Sequence, residues 1–313
     1  MRAGGVRELV CRLLRLTGMP LLVRETLQRR TVVILAYHRL TPAVADRHFA
    51  VLRQHYTPIR LREFVQARQT NTIDQLPPKS LVVTIDDGHE SLHKLKDVLL
   101  GHRFPVTVFL CSGFVETARR FWFSAPGLDE AERQRLKAVP DDVRLSTLRT
   151  MGFDEAIEFG ERQGLDLNQI RELQGLVDFE AHSVTHPILT QCSDAKSQEE
   201  ITSCRTALER YLDAPVTAFA YPNGSYSPRE VAYVRDAGYQ SGLTTVPGFN
   251  TAATPAYELK RFVVPDSCGA DELLARACGI WSLAVAMRPS APAPRPASSP
   301  RPSSPVAQAP HTS

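Results

Sequence analysis

Three short stretches of this chain gather residue types that can move protons or hold a cation. The first is Leu81-Val82-Val83-Thr84-Ile85-Asp86-Asp87-Gly88, where two adjacent carboxylates end an apolar run and a glycine follows. Neighbouring side chains cannot point the same way, so one carboxylate can bind a cation while the other stays free as a base. The same Asp-Asp-Gly pattern also serves as a plain turn leading into a helix N-cap. The second is His182-Ser183-Val184-Thr185-His186-Pro187, after the apolar run Val177–Ala181. Histidines four apart on one helical turn face the same side and suit capture of a cation, although surface histidines also reach this spacing by chance. The third, Phe219-Ala220-Tyr221-Pro222-Asn223-Gly224-Ser225-Tyr226, is either an ordinary βα loop or a rigid turn that aims a backbone N–H at an oxyanion.

The surrounding elements must bring these stretches together. Apolar, β-branched runs predict strands at Val32–Tyr37, Leu81–Ile85, Val106–Cys111, Val177–Ala181, Thr217–Ala220, Gln240–Thr244 and Leu259–Val264. Helical patterns fall at Arg47–His55, Ser91–Leu100, Asp129–Lys137, Leu167–Leu173, Ser197–Leu212, Pro228–Ala237 and Asp271–Met287. Near-continuously apolar strands alternating with helices predict a parallel sheet covered by helices. About seven strands in some 250 residues suit an α/β fold of the (β/α) barrel kind, whose chemistry sits at the carboxyl ends of the strands. Asp86-Asp87 and His182-His186 would then share one barrel face. Two imidazoles and a carboxylate supply three ligands for Zn²⁺ and leave a position for water, the ligand count of a catalytic rather than a structural zinc site.

Composition narrows the class. The 313 residues carry 37 Lys+Arg against 34 Asp+Glu and are 43% hydrophobic, which excludes disorder of the whole chain. A net charge of +3 gives no support for a nucleic-acid partner. No apolar run approaches the roughly 20 residues that span a bilayer. The longest, Val32–Tyr37 and Ala277–Met287, read as a buried strand and a core helix. The six scattered cysteines require no disulfide framework and suit a reducing compartment. Residues 1–30 hold seven arginines against Glu8 and Glu25, interleaved with Leu9, Val10, Leu13, Leu14 and Leu16 at helical spacing. This basic amphipathic segment either packs on the domain or lies on an anionic membrane surface. It has no unbroken signal-type apolar stretch, so the expected location is cytoplasmic, with peripheral contact at the inner membrane face. Residues 288–313, rich in Pro, Ala and Ser, predict a disordered tail and leave 31–287 as the central domain.

Thr84–Gly88 resembles the T-F-D-D-G motif of polysaccharide deacetylases, the NodB-homology domain of the fourth carbohydrate esterase family. His182–Pro187 matches that family's H-[ST]-x-x-H-P motif residue for residue, and Ala220–Gly224 is similar to its third motif, usually R-x-P-[YF]. Gly242–Gly248 is similar too, and the likeness spans roughly residues 32–264. The resemblance implies a distorted barrel of NodB-homology type that removes N-acetyl groups from a polysaccharide, oligosaccharide or lipid-linked sugar. Its cofactor would be a divalent metal, with Zn²⁺ expected. Residue by residue it implies Asp86 as general base and Asp87, His182 and His186 as metal ligands. The backbone N–H of Asn223 takes the oxyanion position, with Tyr221 and Pro222 beside it. Two features depart from the family. Ala220 stands where the third-motif Arg should steady the base, and the late L-x-H motif that provides the general acid is missing. After His186 the only histidine is His311, in the predicted tail. A permuted variant of the domain places that last strand first, and Ile34-Leu35-Ala36-Tyr37-His38 fits it. First and last strands of a closed barrel are neighbours, so His38 is the candidate acid. Arg261, near another strand end, is the candidate partner of Asp86.

A competing motif is His89-Glu90-Ser91-Leu92-His93, literally the H-E-x-x-H of zincins. It directly follows Asp-Asp-Gly instead of lying well inside a helix, and it leaves the other acidic and histidine residues unexplained. Two alternative activities share the deacetylase resemblance: an O-acetyl carbohydrate esterase, and a non-catalytic glycan-binding relative suggested by the missing Arg and the unusual acid. Residues 114–176 form a long insertion whose Phe121-Trp122-Phe123 triplet could stack on sugar rings but is favoured as core.

Overall fold

The computed structural model describes residues 3–282. Val33–Tyr37 (β1), Thr57–Pro58 (β2), Ser80–Ile85 (β3), Val106–Leu110 (β4), Val177–Ala181 (β5), Ala218–Ala220 (β6), Ser241–Leu243 (β7) and Phe262–Val263 (β8) form one sheet. Its order is β7-β6-β5-β4-β3-β1-β8, with β2 added beside β3, and every pairing is parallel. Seven parallel strands on the main path curl into the expected distorted barrel. The helices are Ala3–Leu16 (α1), Met19–Thr26 (α2), Pro42–His55 (α3), Leu61–Gln69 (α4), Lys96–His102 (α5), Glu130–Leu136 (α6), Asp141–Thr150 (α7), Leu167–Leu173 (α8), Asp194–Leu212 (α9), Pro228–Asp236 (α10) and Ala270–Ala277 (α11).

Strands buried on both faces must be apolar throughout, and every residue of β1, β3 and β4 is buried. Alternate residues serve two cores. Val33, Leu35 and Tyr37 join the layer under the helices, whereas Ile34 joins Val82, Phe109, Ala218, Ala220, Leu243 and Leu259 inside the barrel. Side chains alternate with a period of two. Extending the inward set one step past each strand end therefore aims His38 (after 34 and 36), Asp86 (after 82 and 84) and His182 (after 178 and 180) toward one axis. Register agrees, because Tyr37 pairs with Ile85 and the Asp86 N–H donates to the Tyr37 carbonyl at 2.9 Å. The seam between β7 and β8 is closed by a single bridge, Leu243 to Leu259.

Several expected elements change on folding. The segment 1–30 is two helices broken at Gly18 (φ 74°), followed by a 3-10 turn over Leu27–Arg30. The helix expected over Asp271–Met287 stops at Ala277, before Gly279 (φ 76°), so the core helix read at Ala277–Met287 does not form as one element. Residues 283–287 and the predicted tail 288–313 lie outside the described residues. Leu259–Val264 contracts to the two residues of β8, and β2, α4 and α7 were not anticipated. His182–Pro187 is an irregular loop rather than a helical turn. All six cysteines are free and buried, and no helix among the described residues is long and apolar enough to cross a membrane.

The turn after β3 requires its glycine. Gly88 has φ 67°, and a Cβ there would lie 2.4 Å from Leu110 Cδ2. Gly88→Ala should therefore lower the unfolding free energy by about 2–4 kcal/mol, from left-handed strain plus overpacking. Urea melts measure this, and an unchanged midpoint would show that the turn tolerates a side chain.

Candidate active site

At the carboxyl end of β3 the two carboxylates take different partners. Asp86 is gripped by Arg261 through two hydrogen bonds, Nη1 to Oδ1 at 2.7 Å and Nη2 to Oδ2 at 2.8 Å. Arg261 is wholly buried. It also donates from Nε to the Thr244 carbonyl (2.9 Å) and from Nη1 to Thr84 Oγ1 (3.1 Å). Burial acts to raise the Asp86 pKa, but the Arg261 charge and its hydrogen bonds outweigh it and hold the carboxyl well below the usual carboxylate range. Asp86 is thus anionic, and the guanidinium comes from the loop before β8 in place of the position occupied by Ala220.

Asp87 turns the other way, with φ 73°. Its Oδ1 is buried without a hydrogen-bond partner and lies 3.6 Å from His182 Nε2 and 3.4 Å from His186 Nε2. The edge of a tetrahedron around zinc bound at 2.0–2.1 Å is about 3.4 Å, so these three atoms sit as metal ligands would. Asp87, His182 and His186 are, among the described residues, the one group of three or more ligand-type side chains whose donor atoms cluster this closely. His182 Nδ1 donates to the Ala220 carbonyl at 2.7 Å, which leaves the Nε2 lone pair facing Asp87. Burial pushes His182 down from its ordinary pKa and His186 down to about 4, so both imidazoles are neutral, the form that binds a metal. The donor set fits a divalent cation such as Zn²⁺.

The histidine loop is held by residues the sequence reading passed over. Ser183 and His186 both have positive φ (67° and 58°), a conformation that costs of order 1–3 kcal/mol per residue. Glu200, buried on α9, accepts from the Val184 and Thr185 N–H groups at 2.8 Å and from the Thr185 hydroxyl at 2.6 Å. The Ser183 hydroxyl accepts from the His186 N–H, and Trp122 Nε1 donates to the His186 carbonyl at 2.9 Å. Glu200 was legible as an acidic residue on the apolar stripe of α9 beside Ile201, Cys204 and Leu208, all buried.

A cavity of about 170 Å³ opens onto this cluster, lined by His38, Asp87, Trp122, Phe123, Arg133, Lys137, His186, Ile188 and Asn223. Larger hollows, of 650 and 540 Å³, contain none of the ligand-type cluster. His38 follows β1, its N–H donates to Asp266 Oδ1 at 3.1 Å and its side chain is exposed at the cavity. Of Asn223, Tyr221 and Pro222, only Asn223 reaches the cavity. Tyr221 is not a substrate contact, because its ring is buried, stacks on Tyr226 and donates its hydroxyl to the Tyr257 carbonyl. The aromatic triplet divides: Phe121 and Trp122 are buried core, whereas Phe123 packs edge-on to His186 at the cavity wall. Arg133 and Lys137 of the insertion were also missed. The zincin-like histidines do not converge. His89 caps a 3-10 helix by accepting from the Ser91 N–H, and His93 bonds Glu172 at the surface.

Removing Arg261 should leave a stranded buried charge. Arg261→Met is expected to cost about 3–5 kcal/mol of stability, most of it recovered when Asp86→Leu is added, because no unpaired charge then remains. Urea melts of the single and double variants check this, and a fully stable Arg261→Met would show the pair to be dispensable.

A profile of the polysaccharide deacetylase family matches residues 74–242. YxkH of Bacillus subtilis (strain 168), assigned to the polysaccharide deacetylases, is 26% identical over 103 residues. That match covers 33% of this chain and 37% of YxkH, little more than a third of the relative's length. Among solved structures, the Streptococcus pyogenes deacetylase PplD in complex with acetate superposes with a TM-score of 0.59 at 20% identity, over 79% of this chain and 98% of that one. IcaB from Ammonifex degensii gives 0.56 at 20% identity, over 80% and 97%. These two share the fold. With the profile covering more than half of the 313 residues, and both the Asp86–Gly88 and His182–Pro187 motifs inside it, the chain belongs to the polysaccharide deacetylase family.

Proposed function

We propose that this chain is a metal-dependent hydrolase that removes N-acetyl groups from a saccharide. The observation that carries this reading is the division of labour between adjacent carboxylates: Asp86 anionic on Arg261, Asp87 with two neutral imidazoles. Asp87, His182 and His186 would hold the cation, which when bound supplies a Lewis acid for the acetyl carbonyl and lowers the pKa of a water. Asp86 takes the proton of the attacking water, and Arg261 fixes its orientation while keeping it ionised. The backbone N–H of Asn223, a cavity-lining residue on a turn with φ 57°, would serve the developing oxyanion. His38 is open to solvent, so it can recharge with a proton and pass it to the leaving amine. An amine leaves poorly without that proton, which favours amide over ester hydrolysis. The non-catalytic reading rested on the missing Arg and the unusual acid; the guanidinium of Arg261 on Asp86 weighs against the first ground.

Purified protein should release acetate from N-acetylglucosamine oligomers, lose that activity to a chelator and regain it with Zn²⁺. Asp86→Asn should lower turnover at least about a hundredfold, the usual weight of a general base. Full activity in both Asp86→Asn and His182→Ala would overturn the mechanism, and preferential release of acetate from acetylxylan would favour the esterase.

The cavity wall also favours a substrate class. Arg133 and Lys137 both line it, and burial together with the Arg133 charge pushes Lys137 below the usual lysine pKa despite Glu130. Arg133 is paired with Glu130 at 2.6 Å, so the wall keeps a net positive charge beside the metal triad, which suits an acetylated sugar carrying a phosphate or carboxylate. The double variant Arg133→Gln, Lys137→Gln should raise KM for an anionic acetamido sugar about tenfold, the weight of one charge-assisted hydrogen bond, and leave a neutral one unchanged. Equal effects on both sugars would exclude charge recognition.

A further inference from the structure

The two N-terminal helices are attached to the domain by polar groups and turn their apolar side chains outward. Glu8 caps the start of α11, accepting from the N–H groups of Asp271 (3.0 Å) and Glu272 (3.3 Å), and Arg15 pairs with Asp271 at 2.9 Å. Cys11 is fully buried. Gln28, also fully buried, donates to the Ala277 carbonyl at 2.7 Å and accepts from the Tyr56 hydroxyl at 3.1 Å. At 3.6 residues per turn, Glu8, Cys11 and Arg15 share one face of α1, and Leu9, Leu13 and Leu16 fall on the other. Those leucines are 54%, 56% and 72% exposed. Across α2 and its end, Met19, Leu21, Leu22 and Leu27 are exposed as well. Eight of the thirteen exposed large hydrophobic side chains among the described residues thus lie between positions 9 and 27.

A surface helix of a water-soluble domain shows the reverse pattern, apolar stripe inward and polar face outward, and a contiguous exposed apolar patch marks an interaction surface. The charge around the patch selects the partner. Arg7, Arg12, Arg29 and Arg30 are exposed beside it, whereas Glu8 caps α11 and Glu25 pairs with Lys79 at 3.1 Å. We infer that this two-helix face docks on the surface of an anionic lipid bilayer. The leucines enter the boundary between headgroups and acyl chains, and the arginines meet lipid phosphates. The start of α1 lies near the catalytic end, whereas α2 and the turn after it run to the amino end of the strands, where Glu25 meets Lys79 and Gln28 meets Ala277. The loop that leads into α11 carries Asp266, which receives the His38 N–H, and Gly269, against which a Cβ would strike the Glu8 carboxylate.

Sedimentation of the full chain with phosphatidylcholine vesicles, with and without phosphatidylglycerol, tests the docking. The chain should bind the phosphatidylglycerol vesicles, and binding should weaken as salt rises from about 0.1 M to 1 M, where the screening length falls from about 10 to 3 Å. Leu13→Asp with Leu16→Asp should lower the partition coefficient at least about tenfold. The urea midpoint and acetate release from a soluble acetamido sugar should stay unchanged, since both leucines are exposed. Failure to bind, binding indifferent to salt and lipid charge, or a leucine variant that binds like wild type overturns the proposal. So does a leucine variant that breaks a lipid-free dimer, which would make a second copy the occupant. Binding that appears only after deletion of residues 283–313 would assign the face to that segment instead. A chain that binds vesicles but releases no acetate keeps the docking and rejects the deacetylase.

Discussion

Arg261 and Asp86 form a charge pair sealed at the top of the barrel, and much of the catalytic end depends on it. A guanidinium with no exposure must place its donors on protein groups, and Arg261 reaches Asp86, Thr84 and the Thr244 carbonyl at once. Those partners belong to β3 and to the segment just after β7, while Arg261 itself immediately precedes β8. β7 and β8 are only three and two residues long. The seam is joined instead by backbone bonds of the loop before β8, such as Thr244 N–H to the Leu259 carbonyl, and by Arg261 Nε to the Thr244 carbonyl, while the ion pair ties this segment to the end of β3. A buried pair of this kind roughly offsets its own desolvation when intact but is costly to break, which suits a carboxylate that must be ionised when it receives a proton.

The pair also decides what Asp87 can be. With Asp86 committed to Arg261, one carboxylate oxygen is left facing two imidazoles that burial keeps neutral. Neutral histidines 3.4–3.6 Å from a carboxylate oxygen have no strong attraction to it. What keeps them there is the loop, and the loop is strained: Ser183 and His186 both have positive φ. Glu200, Trp122 and the Ser183 hydroxyl over-determine that backbone from three sides. Such preorganisation lets three ligands converge without the cation having to reorganise them.

The barrel and the positions of Asp86, Asp87, His182 and His186 at strand ends were legible because burial on both faces writes itself as unbroken apolar runs, and because period-two alternation then fixes which strand-end residue points inward. The geometry of the histidine pair was not. A spacing of four suggests one helical turn, but positive φ at Ser183 and His186 produces the same convergence from a loop, and nothing local in His182–Pro187 announces it. Short strands were overextended at Leu259–Val264, since a run can stay apolar through an irregular stretch that merely packs on the barrel. Arg261 could be named only as the arginine nearest the right strand end, whereas Arg133 and Lys137 look like the solvated face of any surface helix. Their relation to the cavity depends on how the insertion folds back around Trp122, a tertiary fact with no local pattern. Tyr221 was misread for the opposite reason: its neighbours Pro222 and Asn223 shape the turn, but strand alternation sends its own ring to the outer core.

The N-terminal helices follow a different economy from the barrel. In the barrel, apolar burial drives assembly and polar groups are tolerated where they are paired. In α1, α2 and the turn after them the contacts with the domain include a helix-capping carboxylate, a buried amide and ion pairs beside the buried Cys11 and Pro20, while Leu9, Leu13, Leu16, Leu21, Leu22 and Leu27 stay exposed. Side chains exposed both before and after folding contribute almost nothing to stability, so these leucines do not explain why the helices adhere to α11. The polar anchors hold them, together with the buried Cys11 and Pro20, and they orient the segment: capping α11 requires Glu8 to face the domain, which obliges Leu9, Leu13 and Leu16 to face away. The apolar transfer free energy of that face is therefore intact in the folded protein and becomes available only to whatever removes it from water.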